Sequence, residues 1–239
     1  MAQEHLCWLD KHFLASFIQR EHRNTVTIDK FSITPAVAAS NNYMSYLYRV
    51  RVEYTVAGSN PQVISLIIKV PLTKGVISEM YDDGTDFFAK EPRFYCELLP
   101  KLNKHFKCEF APKSYSCPIK NGMILKDITA DGYIMCDKYE LLDYSHCKSV
   151  ISSLAKFHAS SVVCYHHDPE LIKEIGKERF FSAENEIALL WIKSWMMNTG
   201  KVLSEMEGQE QAASLFYSKL DDVTGMYADL SKPKIDALN

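Results

Sequence analysis

Most of the features that sort a chain at a glance are missing from these 239 residues. No apolar stretch reaches the ~20 residues of a membrane-spanning helix. The longest, Val63–Val70, is strand-length and contains Ser65. Met1–Trp8 has neither a basic n-region nor an apolar h-region, so it does not read as a signal peptide. Neither sign of charge dominates: 27 Lys and Arg face 30 Asp and Glu, a net charge of −3. Nucleic-acid binding and polybasic membrane anchoring therefore find no support. The seven cysteines lack CxxC spacing, and the closest pairs, Cys108/Cys117 and Cys136/Cys147, lack the clustering of a zinc site. Free structural thiols in a reduced, cytoplasmic compartment are the expectation. There is no internal repeat and no low-complexity tract. What is present is a 47% hydrophobic chain with 12% aromatics, ample for a core and against disorder.

The apolar spacing of Trp8, Leu9, Phe13, Phe17 and Ile18 predicts a short amphipathic helix over Trp8–Ile18. Val26–Ile33 reads as a strand. Tyr46–Tyr54 alternates strictly, with Tyr46, Tyr48, Val50, Val52 and Tyr54 opposing Arg49, Arg51 and Glu53, so one face of that strand is buried. Ala57–Pro61 has the composition of a turn. Val63–Val70 is apolar on nearly both faces, as in a central strand. Helical spacing resumes through Phe87, Glu91, Phe94, Tyr95, Leu98, Leu99 and Leu102. Ser114–Cys117 and Met123–Ile128 flank Asn121-Gly122, a hairpin signal. From Asp143 the pattern is helical. Val150, Ile151, Leu154, Phe157, His158 and Val162 line a first helix, and Glu184–Met206 and Gln209–Leu230 form two more, parted near Gly208. Strands first and helices last imply an α+β protein with segregated lobes.

Lys69 ends the central strand, and Glu91 lies on the helix that follows. A strand lysine offers a point charge to phosphate oxygens, and a helix glutamate can orient it by an ion pair. Spacing alone also fits a solvated lysine at a strand end with an unrelated surface glutamate.

Seven stretches occur in order: Asn41–Val50, Ile67-Ile68-Lys69, Glu91–Tyr95, Leu98-Leu99-Pro100, Ala111-Pro112, Ile124–Ile128 with Gly132-Tyr133, and Leu154–Ser161. Together they resemble the insect ecdysteroid-kinase-like family, also called CHK-kinase-like, within the protein-kinase-like fold. The resemblance runs from about Trp8 to about Pro169. It implies an N-terminal helix (1–25), a nucleotide-binding N-lobe of antiparallel sheet plus helix (26–126) and an incomplete helical C-lobe (127–239). It implies an ATP-dependent phosphotransferase acting on an ecdysteroid-type alcohol, with Mg expected in an intact member. By the same resemblance, Lys69 holds ATP phosphates and Glu91 partners it. Ser40, Asn41, Asn42 and Ser45 belong to the loop over the phosphates, and Leu125, Asp127 and Ile128 to the hinge whose backbone faces adenine.

The sequence departs from that pattern. Ser40 stands where the family has glycine, which restricts backbone approach to phosphate. Lys126 stands where the family has an acid. Pro92 follows Glu91 directly, so the helix is expected to restart or kink there, weakening the pairing with Lys69. No His-Gly-Asp stretch followed by Asn, and no Asp-Phe-Gln-like metal motif, is present. His166-His167-Asp168 imitates the former, but it comes only five residues after Ser161, precedes Pro169 and lacks the Asn; a joint between helices is the expectation. His158 is expected to be a buried, hydrogen-bonded core histidine. No catalytic or metal residue is identified, and the chain is expected to be an amino-terminal fragment or truncated member, inactive alone. Two alternatives stay open: a non-catalytic nucleotide- or apolar-ligand-binding pseudokinase, and an interaction protein that self-associates through exposed apolar helices such as that bearing Leu189, Leu190, Trp191, Trp195, Met196 and Met197.

Overall fold

The computed structural model describes residues 6–37, 44–72, 74, 78, 87–106, 109–137, 139–177, 185–223 and 225–226. The chain divides into two compact units, one comprising Met1–Met80 and Phe88–Ile172, the other Tyr81–Phe87 and Lys173–Asn239.

The first unit is built on a five-stranded antiparallel sheet of order β1-β2-β3-β5-β4. Its strands are β1 (Val26–Pro35), β2 (Ser45–Val56), β3 (Gln62–Pro71), β4 (Ser114–Tyr115) and β5 (Met123–Lys126). The alternation seen in the sequence sets the faces. Tyr48, Val50, Val52 and Tyr54 of β2 and Leu66, Ile68 and Val70 of β3 are buried in one cluster with Leu14, Phe17 and Ile18 of helix α1 (Lys11–Gln19). α1 starts later than its apolar spacing suggested because Asp10 is the N-cap, accepting a 2.7 Å hydrogen bond from the Phe13 N–H. Gln19 ties the end of α1 to β1: its amide donates to the Asn24 carbonyl at 2.8 Å, and its oxygen accepts from the Val26 N–H at 2.9 Å.

After β3, helix α2 (Phe87–Arg93) passes into a π-helical turn, Phe94–Leu98, and then into α3 (Leu99–Phe106). A short hairpin, β4 and β5, follows. Asp127 caps a 3₁₀ turn, Ile128–Asp131, that closes on Gly132 at φ 90°, a left-handed position suited to glycine. The long helix α4 (Tyr144–His167) packs its second half on this unit: the Phe157 ring meets those of Phe94 (6.1 Å) and Phe110 (5.6 Å), and Ser160 and Cys164 are buried. The expected apolar stripe is otherwise largely uncovered. Val150, Ile151, Leu154 and Val162 are exposed, because the side of α4 that is buried runs through Ser160 and Cys164 instead. Helix α5 (Pro169–Gly176) follows.

The second unit contains α6 (Glu186–Ser204) and α7 (Glu210–Ser218), parted at Gly208, φ 78°. Ala188, Ile192 and Gly200 form the buried side of α6, and Ala213 that of α7. A Cβ at Gly200 would lie 3.0 Å from the Tyr217 ring, so the helices approach closely there.

Candidate functional site

The sheet has a second face, away from α1. Strand register puts Leu47 opposite Lys69 and Arg49 opposite Ile67 on β2–β3, and Met123 and Leu125 opposite Lys69 and Ile67 on β3–β5. Residues opposite one another in antiparallel strands point to the same side. Lys69 therefore stands at one end of an apolar floor made by Leu47, Ile67 and Leu125. Ser65 lies four residues, about 13 Å, along the same strand.

The Lys69 ammonium donates to Glu91 Oε2 of α2. The lysine side chain is 27% exposed and the glutamate 39%. An ammonium has three protons. Glu91 takes one, and no second acceptor for Lys69 is found among the described residues. The expectation that Pro92 would loosen this pair is corrected. Pro92 sits inside α2, and the helix continues through it. Directly after Arg93 the α-helix gives way to a π turn, the irregularity expected near Glu91, and the pairing with Lys69 is kept.

At the other end of the floor lies an arrangement the sequence reading missed. The Asp127 side chain is 3% exposed. Its Oδ2 accepts from Arg49 Nε and from Ser65 Oγ, both at 2.7 Å, and its Oδ1 accepts from the Thr129 hydroxyl (2.7 Å) and N–H (3.2 Å). Burial alone would raise its pKa, but the donors from Thr129, Arg49 and Ser65 overcome that and hold it down at about 2. Its own N–H bonds the Ser65 carbonyl at 3.0 Å. One carboxylate thus joins β2, β3 and the turn by which the chain leaves the sheet. The signal was Arg49 on the Lys69 face of β2, but its partner is 78 residues away. Lys126 points outward instead, pairing with Asp131 at 2.6 Å.

Ser45 is buried at the start of β2, opposite Pro71. Ser40, Asn41 and Asn42 lie outside the described residues. Leu125 is in β5, paired with Ile67 and with Ser114, and Ile128 opens the 3₁₀ turn. The buried-histidine expectation for His158 is corrected: it is exposed, because the adjacent Phe157 takes the inward position on α4. Asp168 caps α5 through the Leu171 N–H (3.3 Å) and pairs with Lys101 at 2.5 Å. The hydrogen bond from Lys101 lowers its pKa. That is the behaviour of a helix joint. Among the described residues no group of three or more His, Cys, Asp or Glu could hold a metal ion.

A charged lysine on a sheet face, held by a glutamate from the next helix, above an apolar floor, is what a kinase-like N-lobe requires. The family model described as "ecdysteroid kinase-like family" matches residues 39–239. The chain belongs to the ecdysteroid kinase-like family. No curated protein and no solved structure matched. The ecdysteroid kinase-like match begins just before β2 and runs through the second unit, well past Pro169, where recognisable motifs end. The antiparallel sheet and following helices agree with the α+β, kinase-like N-lobe and helical region of this family.

Proposed function

We propose that this chain binds ATP on the second sheet face, with Lys69 on the phosphates and Glu91 holding it in place. The purine lies against Leu47, Ile67 and Leu125, facing the backbone of Leu125–Ile128. Ser40, Asn41, Asn42 and Ser45 cover the phosphates. The observation that carries this reading is the Lys69–Glu91 pair, placed by strand register on the one face that α1 leaves open.

Family membership supports phosphotransfer to a small-molecule alcohol, for which an ecdysteroid-type hydroxyl is the substrate class. A positioned base contributes about 10²–10⁴-fold to such a reaction, and bound metal neutralises the transferring phosphoryl group. Neither residue is identifiable in this sequence, so the chain by itself holds nucleotide without turning it over. ATP should raise its melting temperature, Lys69→Ala should abolish that rise, and ADP release should stay at the uncatalysed rate. An ATP response that survives Lys69→Ala would overturn the site. Turnover by the purified chain would overturn the non-catalytic reading.

A second reading is favoured by the exposure of Tyr144, Val150, Ile151 and Leu154 along one side of α4. We infer that this stripe supports self-association.

A further inference from the structure

A cavity of about 540 Å³ lies in the first unit between the π-helical turn and the β4–β5 hairpin. Pro92, Tyr95 and Cys96 line it from the helix, and Tyr115, Cys117 and Met123 from the hairpin. Neither Lys69 nor Glu91 lines it. The walls are fixed by identifiable contacts. The π turn sends the Leu99 N–H to the Phe94 carbonyl. The next donor in that register would be Pro100, which has no N–H. The Tyr95 carbonyl is satisfied by the Ser114 hydroxyl instead, at 3.2 Å, and this bond fastens the hairpin to the helix. On the far side, a Cβ at residue 122 would come within 2.8 Å of Cys117 Sγ, so glycine lets the hairpin close beneath that thiol.

The volume suits a small organic molecule. Among the described residues no charged side chain lines the cavity; its surfaces are tyrosine rings, prolines, thiols and a thioether, with serine hydroxyls and Asn121 among them. A charged guest would lose hydration without gaining a counter-charge, whereas flat rings gain from aromatic and sulfur contacts. Burial raises the Tyr95 phenol and the Cys117 thiol above their ordinary values, which keeps both walls uncharged near neutral pH.

We propose that this cavity is a binding site for one neutral aromatic molecule. Pro92 adjoins Glu91, and Met123 is the sheet neighbour of Lys69, so occupancy acts on the helix that positions the lysine. Binding itself is independent of the nucleotide reading; only its effect on Lys69 rests on it.

The test uses the full chain with 2-naphthol, and with 2-naphthoate as the charged analogue of the same ring. Saturable binding of 2-naphthol is expected, with 2-naphthoate weaker by about tenfold or more. Bound 2-naphthol should slow alkylation of Cys96 while leaving the exposed Cys7 and Cys147 unchanged. Cys96→Trp and Ser116→Phe, both at exposed lining positions, should each fill the cavity and abolish binding with unchanged circular dichroism. Lys69→Ala should leave 2-naphthol binding intact, which separates failure of the nucleotide site from failure of this one. Equal affinity for the two compounds, protection spread over all exposed thiols, or binding retained in both filled variants would overturn the proposal.

Discussion

Asp127 shows what a single residue contributes to a kinase-like sheet. Its carboxylate is buried, charged and fully engaged, so its loss strands Arg49 and two hydroxyls. Removing one partner of a buried pair costs about 3–5 kcal/mol. Arg49 remains partly solvated, so Asp127→Ala should cost about 2–3 kcal/mol in urea unfolding. The pH dependence has a definite sign. The folded-state pKa of about 2 lies below the ordinary aspartate value, so the ionised form favours folding. That stability is complete above about pH 4 and is lost as pH falls toward 2, amounting to about 2 kcal/mol at neutral pH. Asp127→Asn should be less stable than the parent at pH 6 and lose less on acidification to pH 3. Parallel acid profiles for the two proteins would show that the network carries no such linkage. Lys69 lies at the other extreme. Its pair with Glu91 is half-exposed and contributes about 1 kcal/mol or less, so Lys69→Ala should leave folding nearly untouched and report on ligand binding alone.

At the scale of elements, strict alternation in Tyr46–Tyr54 made the buried face of β2 legible, and the order strand, lysine, helix, glutamate made the Lys69–Glu91 pair legible. Three features were not. Arg49 and Asp127 meet only through the β2–β3–β5 register, which no local pattern encodes. The turn that follows Pro92 is π-helical, and i→i+5 geometry leaves little trace in apolar spacing. Phe157 and His158 are adjacent, and a helix can turn only one of them inward; the spacing did not say which. The α6–α7 pair offers a test of close packing. Gly→Ala in an open helix interior gains about 1 kcal/mol, but at Gly200 the new methyl would meet the Tyr217 ring. Gly200→Ala should therefore gain less than that, and the full gain should return in a Tyr217→Ala background. Urea unfolding of the four proteins measures the coupling, and additivity within about 0.3 kcal/mol would mean that the ring moves aside freely.

At the scale of the molecule, the first unit spends its apolar residues unevenly. Around the sheet most are buried, yet between Gly132 and Leu154 many are turned outward: Ile134 is 86% exposed and Met135 94%, followed by Tyr144, Val150, Ile151 and Leu154 on α4. The last four span about 15 Å of helix on one side. Contiguous apolar surface of this kind marks an interaction site or a route to association. The proposed nucleotide face lies on the sheet, on different residues, so the two properties are separable. Ile151→Lys combined with Leu154→Glu puts charges on exposed positions of α4 that make no described core contact, so folding should be unaffected. The parent chain should show a weight-average mass that rises with concentration in sedimentation equilibrium, and the double variant should stay monomeric while keeping the ATP-induced rise in melting temperature. Association that persists in the double variant would place the contact elsewhere, and a lost ATP response would mean that α4 and the Lys69 face are not independent after all.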